Sequence, residues 1–221
     1  MRDLDIRQAL ISDLRKRHNG EAETRIVEEL GLAQGISRVD VAVINGAFNG
    51  FEIKSNRDRL DRLPHQRDVY CRFFDTMTIV VGDKHIQRAR IEIPKWWGIV
   101  EARDLSGLIH LRPVRKARLN KRIDPHAVVQ LLWKSEAISI LAEFGIMEKH
   151  SRASAWIALT KIFGCGELCQ RVRSAIKARG DWRSGPTPFR CGDLSRSAAT
   201  VQRSQANLHW LLSRKFQHLP R

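Results

Sequence analysis

Asp40, Glu52 and Lys54 stand in two short apolar runs, Ser37–Ile44 and Phe51–Ser55, where charged residues are out of place. An Asp, a Glu and a Lys inside such strands need a chemical reason. Alternation along a strand puts Asp40, Ala42 and Ile44 on one face and Val39, Val41 and Val43 on the other. Glu52 and Lys54 share a face for the same reason, with Phe51 and Ile53 opposite. The intervening Asn45-Gly46-Ala47-Phe48-Asn49-Gly50 suits a hairpin turn. Antiparallel pairing would then bring the Asp40 face and the Glu52/Lys54 face together at one end. Two neighbouring carboxylates repel unless a cation lies between them, and hard oxygen donors favour Mg²⁺ or Mn²⁺ over zinc. Metal-assisted cleavage of a phosphodiester uses such a set.

The spacing Asp-(x)11-Glu-x-Lys on a hairpin resembles the core of the PD-(D/E)XK nuclease superfamily. Gln66 and Tyr70, in His65-Gln66-Arg67-Asp68-Val69-Tyr70, match the Gln-x-x-x-Tyr motif of its RecB-like branch. Lys54 to Tyr70, with Asp58, Arg62, Leu63 and Gln66, also resembles a small family of uncharacterised bacterial proteins within that superfamily. That likeness extends more weakly through Trp96-Trp97-Gly98-Ile99 and Leu131-Leu132-Trp133-Lys134. One departure is Val39, which precedes Asp40 in place of Pro; many members lack that Pro.

The resemblance implies a restriction-endonuclease-like core and a Mg²⁺- or Mn²⁺-dependent deoxyribonuclease that leaves a 5′-phosphate and a 3′-hydroxyl. It implies that Asp40 and Glu52 hold the metal, with the Ile53 carbonyl as a further oxygen, and that Lys54 orients or helps deprotonate the attacking water. Gln66 and Tyr70 would position the scissile strand or the metal shell. A further acid is expected from the region before Asp40: Glu29 is the candidate, Glu28 and Asp5 the alternatives. The rival expectations are an inactive nucleic-acid-binding module on the same fold and an RNA nuclease. Roles in DNA repair, phage defence or a mobile element fit equally. Each residue also has a plainer reading. Glu-x-Lys decorates many solvated edge strands, Asp40 alone reads as a surface acid, and Gln66 with Tyr70 is one helix face at i, i+4.

Composition bounds the partners. The chain carries 39 Lys and Arg against 24 Asp and Glu, a net charge of +15. Residues 1–113 hold 19 basic and 17 acidic residues, whereas residues 114–221 hold 20 and 7. Clustered cations attract a phosphate backbone through salt-sensitive contacts, so nucleic acid is the expected partner, DNA ahead of RNA. No apolar run approaches the ~20 residues of a membrane span. The first residues lack a secretory core, and four Cys do not make a disulfide scaffold. A cytoplasmic protein is expected, its oligomeric state open, with a homodimer among the options.

The elements that must hold the charged set read as α/β. They comprise a helix over 3–17, a strand over 24–30, and strands over 38–44 and 50–55. A helix over 57–74, kinked or broken at Pro64, precedes a strand over 77–82 and a short helix over 84–90. Further strands cover 99–102 and 108–114. This predicts a core over 1–114, a mixed sheet flanked by helices, and a basic, mainly helical region over 115–221. In that region Val114–Arg122 is a basic linker. Asp124-Pro125 starts a helix whose apolar face runs from Val128 to Leu141. Ser151 caps a helix through Phe163, and 167–179 forms another. The turn between these last two allows a helix-turn-helix reading, although most such pairs only pack. Cys165, Cys169, Cys191 and His150 lack the spacing of a zinc ribbon or finger. Trp96-Trp97 reads as a core plug or interface. Residues 183–199 read as loop and 200–216 as a terminal helix.

Overall fold

Pairing in chain order organises the sheet. Strands β1 (Arg25–Leu32), β2 (Ser37–Ile44), β3 (Phe48–Lys54), β4 (Thr76–Gly82), β5 (Gly98–Leu105) and β6 (Leu108–Arg115) lie side by side in that sequence. The computed structural model describes residues 1–180. β1, β2 and β3 are mutually antiparallel, β3, β4 and β5 parallel, and β6 antiparallel to β5. Parallel neighbours need crossovers; helices α2 (Leu63–Tyr70) and α3 (Ile86–Glu92) supply them. The α/β class and the mixed sheet flanked by helices are those expected.

Helix α1 (Asp3–Arg17) covers one face. Ile6, Leu10, Ile11 and Leu14 recur at helical spacing and pack on Val41, Val43, Ile53, Val80 and Ala102. Asp3 and Asp5 in its first turn and Arg15, Lys16 and Arg17 in its last complement the helix dipole. The opposite face carries Glu52 and Lys54, covered by α2. Tyr70 is fully buried there and stacks on Trp97, with ring centroids 6.2 Å apart and planes 15° apart. Trp97 is core, while Trp96 sits edge-on to it and half-buried.

Two departures from regular pairing shape the sheet near Asp40. The β2–β3 ladder runs from Ile44↔Phe48 to Val41↔Phe51 and stops one position short of Asp40 and Glu52. The β1–β2 ladder skips the position where Glu29 faces Asp40, and Glu29 takes φ 55°, a left-handed conformation that a non-glycine residue adopts at a cost. At the far edge, the β5–β6 hairpin turns through Ser106 and Gly107, both at positive φ. Pro113 lies opposite Val100 beside a register irregularity.

The connector after β6 is pinned to the core. The Arg118 backbone N–H donates to the Trp96 carbonyl at 2.7 Å, and the Asn120 N–H to the Asp75 carbonyl at 2.7 Å. The buried Asn120 amide donates to the carbonyls of Cys71 at 2.7 Å and Phe74 at 3.0 Å. Helices α4 (Pro125–Val128), α5 (Lys134–Ala142), α6 (Arg152–Ile162) and α7 (Cys165–Ala178) follow. They bury Val128, Leu132, Leu141, Leu159, Leu168, Val172 and Ile176. The Arg25 guanidinium on β1 donates to the Lys177 carbonyl at 2.8 Å, and Met1–Arg179 forms one compact unit.

Several boundaries differ from expectation. The helix predicted over 57–74 begins at Leu63, with Pro64 in its first turn rather than at a kink, because a first-turn N–H has no helical partner to lose. The single helix predicted from Asp124 is broken. Leu132 and Trp133 are extended, at ψ 136° and 158°, and separate α4 and a 3₁₀ turn from α5. The last helix starts at Cys165, two residues earlier than predicted. Cys191, the 183–199 loop and the 200–216 helix lie outside the described residues.

Gly50 tests the packing of β3. A Cβ there would meet Met77 Sδ at 2.2 Å and the Phe74 ring at 3.0 Å, whereas one on Gly46 would meet nothing within 4 Å. Gly50→Ala is expected to cost about 1–3 kcal/mol and Gly46→Ala within about 0.5 kcal/mol, compared by urea midpoints. Equal midpoints would show that the β3 face yields.

Candidate functional site

Where β2 and β3 part, the Asp40 side chain fills the gap. Its Oδ2 accepts the Ile53 backbone N–H at 2.7 Å, in place of the ladder bond the diverging strands no longer make. Its Oδ1 accepts from Arg7 Nη2 of α1 at 2.9 Å. Arg7 also pairs with Glu29 through Nη1 and with Asp3 at 3.2 Å, and Arg38 pairs with Glu29 from the other side. The strained Glu29 backbone thus accompanies a carboxylate that shares Arg7 with Asp40.

On the α2 face, Glu52 is fully enclosed. Lys54 Nζ and Gln66 Nε2 each donate to its Oε1 at 2.6 Å. The Tyr70 hydroxyl lies 2.8 Å from Glu52 Oε2 and 2.7 Å from the Arg38 carbonyl oxygen; its single proton serves one of the two at a time. Gln66 Oε1 is buried with no partner among the described residues.

The structure therefore brings Asp40, Glu52, Lys54, Gln66 and Tyr70 into one place, with Ile53 joining through its N–H. Glu29 reaches the group through Arg7. Glu28 instead lines a cleft of about 630 Å³ between α1 and β1, with Arg7, Gln8 and Arg15. Asp5 is spent accepting the Arg2 N–H at 2.6 Å. Sequence reasoning missed Arg7. Its one local signal is a cation beside the apolar stripe of α1, four residues after Asp3, and nothing in the sequence links it to Asp40.

Burial, then the neighbouring Glu52 charge, pushes the Asp40 carboxyl up to about 7, against the pull of the Ile53 N–H and Arg7. Burial would lower the Arg7 guanidinium, but its hydrogen bond to Glu29 and the charges of Asp40, Glu29 and Asp3 hold it above its ordinary value. Burial and the Glu52 charge push the Tyr70 phenol far up, keeping it protonated. The carboxylates suit a hard cation in kind. In place, each oxygen of Asp40 and Glu52 already lies within hydrogen-bond distance of a protein donor. Among the described residues no group of three or more His, Cys, Asp or Glu is placed to hold a metal.

The family model described as bacteriophage P4 protein cII matches residues 1–184. This chain belongs to the P4 cII family. Protein cII of Enterobacteria phage P4 is 29% identical to it over 146 residues, 66% of this chain and 55% of that protein. The chain thus spans about half the length of the curated relative it matches. No solved structure matches.

Membership in the P4 cII family corrects the resemblance drawn from the sequence. The chain is not placed among PD-(D/E)XK nucleases, and the deoxyribonuclease activity inferred from Asp40, Glu52 and Lys54 falls with that assignment. The DNA repair and phage defence roles fall with it. A handful of residues at nuclease-like spacing carried that inference, whereas the P4 cII match extends over most of the chain. Within the site the same residues have partners of their own: Lys54 neutralises Glu52, and Arg7 holds Asp40. No helix among the described residues is long and apolar enough to cross a membrane.

Asp40 makes stability depend on pH. Its folded value near 7 exceeds the ordinary 3.8, so between those values the folded state keeps a proton that the unfolded chain has lost. Stability should fall on the order of 1 kcal/mol per pH unit from about pH 4 to 7 and level off above. Asp40→Asn should flatten that decline, read from urea midpoints at pH 5 and pH 8. The same slope in both proteins would show that Asp40 is not the titrating group.

Proposed function

We propose that this P4 cII family member binds nucleic acid through its phosphate backbone, with DNA ahead of RNA. The observation that carries this reading is the connector after β6. Arg115, Lys116, Arg118, Lys121 and Arg122 follow one another with no acid between them. None of the five makes an ion pair among the described residues. Long basic linkers usually move freely and gain little from any one geometry. Here the Arg118 N–H and the buried Asn120 fix the run against the core, so less ordering cost falls on binding. Cations carried on a pinned backbone release condensed counterions when a polyanion lies along them.

A restriction-endonuclease-like scaffold belongs to the same reading, used for binding and without hydrolysis. Its support is the divergent β2–β3 pair with α1 on one face and α2 on the other. Mg²⁺ or Mn²⁺ belongs to it as well, as an ion that exchanges with Arg7 and Lys54 at Asp40 and Glu52. Thermal melting with and without Mn²⁺ checks this: a rise in the wild type that is lost in Glu52→Gln supports exchange, and equal shifts in both exclude it.

The principal test is fluorescence anisotropy with labelled duplex DNA, single-stranded DNA and matched RNA over a salt series. Wild type should bind with a steep salt dependence. Lys116→Ala/Lys121→Ala/Arg122→Ala should weaken binding at least about tenfold across unrelated sequences and lower the salt slope by roughly 2–3. No binding at low salt, or an unchanged slope in the variant, would overturn the assignment. Tighter binding of RNA in direct competition would reverse the stated preference.

A further inference from the structure

Arg115 and Arg118 are tied to neighbouring carbonyls at the bend before β5, the charge of Arg90 reaches Arg115 there, and no carboxylate pairs with any of the three among the described residues. Arg90 lies in the last turn of α3, Arg115 ends β6, and Arg118 lies on the connector. Arg115 is held by the bend that precedes β5. Its Nε donates to the Trp97 carbonyl at 2.7 Å and its Nη2 to the Pro94 carbonyl at 3.0 Å. Those bonds occupy one edge of the guanidinium and leave the remaining Nη1 protons for another acceptor. Arg118 is fixed through its backbone to the Trp96 carbonyl, the neighbour of the carbonyl that holds Arg115. The Arg90 and Arg118 side chains are exposed.

The grouping is electrostatically unfavourable as it stands. Burial, then the charges of Arg90 and Arg118, lower the Arg115 guanidinium below its ordinary value. Two other arginine pairs have an acid between them: Glu101 lies between Arg103 and Arg112, and Glu29 between Arg7 and Arg38. No acid among the described residues pairs with Arg90, Arg115 or Arg118. Planar guanidiniums on separate segments, one of them locked in place, match the oxygens of a tetrahedral phosphate.

We propose that Arg90, Arg115 and Arg118 form a phosphate-binding subsite that takes one phosphate group of a bound nucleic acid. This rests on the nucleic-acid reading and names the point of tightest contact within it. The ligand chemistry is a phosphate oxyanion, supplied either by a backbone diester or by a phosphorylated chain end.

Binding by the full chain of one labelled oligonucleotide, with either a 5′-phosphate or a 5′-hydroxyl, tests the subsite. Arg90→Ala/Arg118→Ala alters only exposed side chains and is compared with wild type and with Arg57→Ala, an exposed arginine elsewhere on the surface. The double variant should bind about tenfold more weakly, with a salt slope lower by roughly 2, while Arg57→Ala stays near wild type. A wild-type preference for the 5′-phosphate that disappears in the double variant assigns the subsite to a chain end. Equal losses on both oligonucleotides assign it to the backbone. Wild-type binding that the double variant retains in full, with an unchanged slope, overturns the subsite and leaves the nucleic-acid reading standing. Absence of wild-type binding to either oligonucleotide overturns both.

Discussion

The bond from the Ile53 N–H to the Asp40 carboxylate holds the centre of this protein together. β2 and β3 diverge beside Asp40, and the N–H of the buried Ile53 left open there would cost about 1–3 kcal/mol. Asp40 meets that N–H with one oxygen and Arg7 with the other. One side chain thus closes the gap in the sheet and ties α1 to it.

A buried carboxylate pair of this kind is costly unless protein groups answer it. Glu52 has three donors around it, and Asp40 has two. The charges balance within the fold, with cations drawn from α1, β2 and β3. This self-sufficiency contrasts with the bend before β5, where Arg115 and its arginine neighbours Arg90 and Arg118 have no acid paired with them among the described residues. One cluster completes itself and the other is left open, and the two ask for different chemistry.

Much of this arrangement was legible in the sequence because it is local. The β2–β3 hairpin followed from alternation and its turn residues. The α1 stripe followed from helical spacing, and the Gln66–Tyr70 face from a separation of four. What escaped depends on contacts across the chain. Arg7 meets Asp40 across thirty-three positions, and no local pattern marks it. Asn120 looked like one more polar residue in a basic linker, yet it is buried and holds that linker in place. The break at Trp133 was hidden because Val128, Leu131, Leu132, Ile138 and Leu141 fit one helical stripe, and tertiary packing overrode the pattern. The family was misread for a related reason: a short motif at a plausible spacing outweighed a sequence likeness spread over the whole core.

Among the described residues, β6 lies at one edge of the sheet with no outer neighbour. Such an edge normally offers an unbroken row of backbone donors and acceptors to any passing strand. Pro113 removes a donor from that row, the register irregularity beside it bends the ladder, and Arg112 and His110 stand exposed along the rim. Along β6, copies of this chain brought to high local concentration therefore meet a blunted border rather than a template for cross-strand growth.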